Sequence, residues 1–242
     1  MNKILGCLLI GFSMMLQAGG TFQDYTVKGA TYEGYFVASK ANNALVILLH
    51  DWDGLTEYEV KRANMLAELG YTVFAADLFG KGIRPTEVSD KKQHTGELYQ
   101  DREKMRTLLS AALEQAKTLS GGAPKVIAMG YCFGGAAVLE MARAGMNLNA
   151  FVTFHGGLST PQGQDYSQTK APVLVFHGTA DTAITMEDFA TLANELEAAK
   201  VEHEMISYGG APHAFTVFGG ERYHERADQQ SWQRLLSFLK EL

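Results

Sequence analysis

The feature that most constrains this chain is an alternation of short, mostly apolar runs with longer stretches of helical period. Residues 44–49 (ALVILL) form one such run, and others lie at 71–76, 125–129, 148–154, 173–176 and 204–208. Between them, 57–69, 97–119, 134–144 and 186–199 repeat apolar residues at helical spacing, and 227–239 closes the chain in the same way. A strand that is apolar on both faces has to be covered on both faces, as in a parallel sheet. Helices between the strands supply the crossovers that parallel pairing requires. The expectation is an α/β fold, with a mostly parallel central sheet and helices on both faces. Residues 22–37 carry Tyr, Phe and Val in loose alternation and predict an antiparallel pair of strands, with breaks at Gly29 and Gly34. The stretch before residue 97 reads as a polar loop.

No repeat, low-complexity tract or linker divides the chain of 242 residues, so residues 22–242 are expected to form one domain. The net charge of −6 offers no basic face for nucleic acid. The first residues differ from the rest. Lys3, an apolar run over 4–16 and the small residue Ala18 read as a secretory signal peptide over 1–18, which places the mature protein in the periplasm or outside the cell. The run is shorter than the roughly 20 residues of a membrane span; an uncleaved anchor is the alternative. Cleavage would remove Cys7 and leave Cys132 as the sole cysteine, without a disulfide partner.

In a parallel α/β sheet, ligands bind beyond the carboxyl ends of the strands. The residues there are His50-Asp51-Trp52, Asp77, Tyr131-Cys132-Phe133, His155, His177 to Asp181, and Pro212-His213. The run at 125–129 leads into Gly130-Tyr131-Cys132-Phe133-Gly134-Gly135 and then a helix, a strand–turn–helix elbow with cysteine as the nucleophile. The glycines remove side chains that would collide in so sharp a turn. A thiol at a helix N-terminus is expected to have a depressed pKa, and the Phe133 N–H is placed to hold an oxyanion.

A thiol needs a base, and the base an orienting acid. Asp181 follows the 173–176 strand and His213 follows 204–208, giving the chain order nucleophile, acid, histidine. The loop after 44–49 is expected to lend the Trp52 N–H as second oxyanion donor and to project the Asp51 carboxylate toward the thiol, where it could hold the proton or accept it; turn chemistry is the other reading of Asp51. His155 and His177 are expected to satisfy loop hydrogen bonds. No pair among His50, Asp51, His155 and His177 has a recognised ligand spacing, so no metal is expected.

These residues together resemble the dienelactone hydrolase family. The resemblance rests on His50-Asp51-Trp52-Asp53-Gly54-Leu55, on residues 76–85 from Ala76-Asp77-Leu78-Phe79 to Arg84-Pro85, on the cysteine elbow, on His177-Gly178-Thr179-Ala180-Asp181 and on His213-Ala214-Phe215. It implies an α/β-hydrolase core without a large cap, a Cys132–His213–Asp181 triad, an acyl-enzyme route and no cofactor. It also implies a substrate-binding role for Asp51 and Arg84. Family members that open dienelactones carry a glutamate where this chain has Asp51, and hold the substrate carboxylate with arginines. Arg84 is the candidate match to one arginine, while Val217 stands where another is expected. The expected activity is therefore hydrolysis of a small, less anionic ester, lactone or thioester. A non-catalytic binding protein and a redox-active thiol protein are the rival classes. The expected partner is a small molecule, with no nucleic acid and no membrane after cleavage; nothing in the sequence gives the oligomeric state.

Overall fold

The computed structural model describes residues 19–242; the expected leader lies outside the described residues. The strands are β1 (Thr21–Val27), β2 (Ala30–Val37), β3 (Leu45–Leu49), β4 (Thr72–Ala76), β5 (Val126–Tyr131), β6 (Ala150–Phe154), β7 (Val173–Gly178) and β8 (His203–Tyr208). The helices are α1 (Glu57–Glu68), α2 (Val88–Gln100), α3 (Arg102–Ser120), α4 (Phe133–Arg143), α5 (Met186–Ala198) and α6 (Glu225–Glu241). The strands form one sheet in the order β1-β2-β4-β3-β5-β6-β7-β8. β1 and β2 pair antiparallel, β2 meets β4 antiparallel, and every later pair is parallel.

The apolar runs explain this layering. Every residue of β3, β4, β6 and β7 is buried, because helices cover the sheet on both sides. Ile47, Phe74, Ala128 and Phe151 face a core shared with α3, α4 and α5. Val46, Val73, Ile127 and Val152 face a second core closed by Ala63 and Leu66 of α1 and by Leu235, Phe238 and Leu239 of α6. Fully burying a side chain of this size is worth roughly 1.5–3 kcal/mol. Both layers therefore tie the strands firmly in register.

That register decides where chemistry can sit. Leu49 is level with Gly130, Tyr131 with Phe154, Phe154 with Phe176, and Gly178 with Tyr208. The loops after β3, β5, β6, β7 and β8 consequently emerge at one edge of the sheet.

Two expectations are corrected. The region read as a polar loop and one long helix is two helices, broken at Asp101, whose carboxylate accepts from the Lys104 N–H and caps α3. α2 escaped the periodicity because only Thr95 and Leu98 of it are buried. Gly34 does not break the chain but lies inside β2, where a Cβ would sit 2.1 Å from the Phe74 ring. The hairpin turn is at Lys28-Gly29 alone, both with positive φ.

Candidate active site

The elbow is built by exclusion of side chains. A Cβ on Gly130 would lie 2.3 Å from the Gly134 carbonyl, and a Cβ on Gly134 would lie 2.3 Å from the Leu49 oxygen. With both absent, the chain turns from β5 into α4 through Cys132 at φ 51° and ψ −111°. That positive φ is costly for a residue with a side chain. It is held by the Cys132 N–H, which donates to Phe154 O at 3.0 Å, and by the Cys132 carbonyl, which accepts from Ala136 at 3.2 Å. The side chain is left partly accessible at the head of the helix.

His213 comes to it from the loop after β8. Its Nε2 lies 3.1 Å from Cys132 Sγ and its Nδ1 lies 2.7 Å from Asp181 Oδ2. The other Asp181 oxygen, Oδ1, accepts from the N–H groups of Ala183 and Ile184, both at 2.9 Å. Burial disfavours the Asp181 charge, but the bonds from His213 and these amides outweigh it and hold the carboxyl below its ordinary range. The helix cap of α5 is Thr185, so Asp181 is not needed for that purpose.

The expected thiolate is corrected. Burial and the neighbouring Asp51 carboxylate push the Cys132 thiol well above its ordinary value, against the opposing pull of the Phe133 and Trp52 N–H groups. The helix N-terminus is overridden by burial of the sulfur first and by the Asp51 charge second. Asp51 is itself raised to about 7, by burial first and then by Asp53 and Glu59. One of its oxygens accepts a short hydrogen bond from the Trp52 N–H. The two backbone donors expected for an oxyanion thus flank the sulfur, and one already holds a carboxylate.

A match to the dienelactone hydrolase family model runs over residues 32–242. The chain belongs to the dienelactone hydrolase family. A Salmonella typhimurium protein provisionally named carboxymethylenebutenolidase is 27% identical over 225 residues, covering 88% of this chain and 83% of that protein. A crystal structure of a dienelactone hydrolase-like promiscuous phosphotriesterase from metagenomic libraries superposes with a TM-score of 0.82 at 31% identity, covering 93% of this chain and 99% of that one. A second solved structure, named m3DLH, gives a TM-score of 0.83 at 28% identity over 92% and 98% of the two chains. The fold is the α/β-hydrolase fold, without a large cap, and the protein is a hydrolase of this family.

Within this family member, other predicted residues take distinct places. Arg84 is not free to clamp a substrate carboxylate. Its Nε donates to Leu55 O, its Nη1 to Ile83 O at 2.7 Å, and its Nη2 to Glu33 Oε1 at 3.0 Å. It also pairs with the buried Asp77 at 3.7 Å. Arg84 therefore braces the Asp51–Leu55 loop from behind, and no sequence signal revealed its partners. His50 accepts from the Leu78 N–H at Nε2, 3.0 Å, which leaves Nδ1 to donate to Asp51 O at 2.6 Å. His155 bonds Thr216 Oγ1 at 2.7 Å, whereas His177 stacks on Phe189 rather than satisfying a loop. Among the described residues no group of three or more His, Cys, Asp or Glu is arranged to hold a metal.

Two site residues escaped the sequence reading. Glu59 is fully buried; its Oε1 accepts from the Asp51 N–H at 3.3 Å, and its Oε2 accepts from both the N–H and the hydroxyl of Thr56 at 2.8 Å. Thr56-x-x-Glu59 is a readable capping box. Tyr99 of α2 places its ring edge-on to Phe133 with centroids 5.4 Å apart. Burial and the nearby Cys132 push its phenol upward.

Proposed function

We propose that this protein is an exported thiol hydrolase that opens small esters, lactones or thioesters through Cys132, His213 and Asp181. The reading is carried by one observation: an unbroken path from Cys132 Sγ to His213 Nε2 at 3.1 Å and from His213 Nδ1 to Asp181 Oδ2 at 2.7 Å.

The resting thiol keeps its proton, since Asp51 and burial disfavour the thiolate. The substrate carbonyl oxygen enters between the Phe133 and Trp52 N–H groups and displaces the Asp51 carboxylate from Trp52. With that charge moved away, the thiol proton passes to His213 Nε2, and Asp181 steadies the imidazolium. The sulfur attacks the carbonyl carbon, and the two N–H groups hold the oxyanion. On collapse the carbon–oxygen or carbon–sulfur bond of the substrate breaks, and His213 returns the proton to the leaving group. Water, deprotonated by His213, then hydrolyses the acyl-cysteine and frees the acid.

Arg84 is committed to internal partners, and Val217 offers no charge beside His213. Both favour a neutral or weakly anionic substrate over dienelactone. The test is the mature protein against a panel of aryl esters, lactones, thioesters and, given the phosphotriesterase among its structural relatives, an aryl phosphotriester. Cys132→Ala is expected to abolish turnover while leaving the fold intact; unchanged turnover rejects the assignment. Mass spectrometry after an acylating probe separates this reading from a non-catalytic binding role. A resolving cysteine for redox chemistry is missing, because Cys7 is the only other cysteine and lies in the expected leader.

A further inference from the structure

The two sides of the nucleophile are carried by loops far apart in sequence, yet adjacent residues of one helical turn hold both. On one side, Glu59 accepts from the Asp51 N–H at 3.3 Å and from the Thr56 N–H at 2.8 Å, closing the loop that carries Trp52. On the other, the Tyr58 hydroxyl lies 2.6 Å from Thr216 Oγ1, 158 positions away and three residues past His213. The same Thr216 hydroxyl meets His155 Nε2 at 2.7 Å. The His155 ring stands edge-to-face against His213, centroids 5.3 Å apart. Arg62, one turn further along α1, donates to Thr216 O at 2.7 Å and pairs with Asp228 of α6. Thr216, His155 and Arg62 are each at most 1% exposed.

We propose that the first turn of α1 is the bracket that sets the base against the oxyanion loop, with Tyr58 and Thr216 as positioning residues for His213. The inference deepens the thiol-hydrolase reading and rests on it for its catalytic consequence. The loop needs such a bracket. Ala214, next to His213, has a φ of 61°, a strained value for a residue with a side chain. A buried hydroxyl with two partners fixes the loop's height over the sheet, and a shift of 1 Å there lengthens the His213–Cys132 contact. His155 is the neutral platform of the arrangement: burial and the charge of His213 hold it well below its ordinary value. It therefore does not compete with His213 for the thiol proton.

The test compares Tyr58→Phe, which keeps the ring on Tyr131 at 5.1 Å, with Thr216→Val and Thr216→Ser. Four quantities are read on the full chain: kcat and KM for an aryl ester, the pH profile of Cys132 alkylation by iodoacetamide, and the thermal midpoint. Tyr58→Phe and Thr216→Val are each expected to lower kcat about tenfold or more, since misplacement near 1 Å can cost about a hundredfold. KM stays within about twofold, the alkylation profile moves, and Thr216→Ser restores both. The double variant is expected to lose less than the sum of the two single variants, because both break the Tyr58–Thr216 bond. Wild-type kcat and an unmoved alkylation profile in both single variants would overturn the proposal. So would a lowered midpoint with kcat and profile unchanged, which would make the bond purely structural. If Cys132→Ala still turns over ester, the hydrolase reading fails separately, and the alkylation profile alone still decides whether Tyr58 and Thr216 position His213.

Discussion

α4 and α2 both border Cys132, and they are held in opposite ways. All eleven residues of α4 are buried, from Phe133 beside the thiol to Arg143. Of the thirteen residues of α2, only Thr95 and Leu98 are. α4 sits in the sheet's core and fixes Cys132 by sterics. α2 touches the site through side-chain tips: Lys91 lies 5.2 Å over the Trp52 ring, His94 stacks on Phe79 at 5.2 Å, and Tyr99 meets Phe133. The difference teaches that the Cys132 sulfur is anchored in the part of the molecule least able to move, while one wall of the site is free to vary with little cost to the fold. Substitutions in the two helices should therefore separate stability from substrate preference.

The largest effect belongs to the elbow. Gly134→Ala places a carbon 2.3 Å from Leu49 O and 2.6 Å from His50 O, both backbone atoms that cannot step aside. It is expected to cost about 3 kcal/mol or more, measured by urea unfolding, and to abolish activity. A fully stable Gly134→Ala would show that the elbow is softer than its packing implies.

Next comes the acid. Asp181→Asn keeps the shape but removes the charge that holds Nδ1–H of His213. By analogy with serine triads it is expected to lower kcat by about 10²–10⁴-fold, with the urea midpoint little changed. An unaltered rate would mean that His213 is oriented by its loop alone.

The loop after β3 gives a smaller, pH-dependent effect. Asp51 and Glu59 are each raised to about 7 by burial first. In the unfolded chain both release their protons near pH 4. Between those values the folded state binds more protons than the unfolded one, so their contribution is full below about pH 4 and is lost as pH rises toward 7. Asp181 and Glu140, both lowered, act in the opposite sense: their contribution is present above about pH 4 and lost as pH falls. Asp51→Asn should therefore flatten the fall in unfolding free energy from pH 4 to 7 and leave the acid limb alone. An unchanged slope would place the titration elsewhere.

The same contrast governs what could be read from sequence. β3, β5 and α4 were legible because burial on all sides writes itself as uninterrupted apolar residues and as glycines where no side chain fits. Asp181 and His213 were legible because each follows a strand in the order that the elbow demands. α2 was not, since a helix burying two residues has no apolar stripe to announce it. The direction of the thiol's shift differs from expectation for a physical reason: a helix N-terminus and a neighbouring aspartate are visible in a sequence, but how deeply the sulfur is buried, the larger cause, is not. Arg84 enters through the family resemblance, as the match to a carboxylate-binding arginine, and only the fold shows that Glu33, Asp77 and two carbonyls already use it.

The smallest effect is the sharpest test of the comparison. Tyr99 leaves part of its side chain open to solvent, while its hydroxyl turns in toward the site and, among the described residues, has no hydrogen-bond partner. Tyr99→Phe leaves the ring on Phe133 and deletes only that hydroxyl. The change breaks no hydrogen bond and is expected to fall within about 0.5 kcal/mol, so the urea midpoint should not move. The hydroxyl nevertheless borders the nucleophile, 3.6 Å from where a Cβ on Gly157 would lie, and the Gly157 N–H donates to Cys132 O at 3.4 Å. An ester panel should therefore register the change as altered KM ratios between substrates of different acyl size. A loss of more than about 1 kcal/mol would instead show that α2 is anchored as α4 is, because a hydroxyl that makes no hydrogen bond has no other route to the stability of the fold.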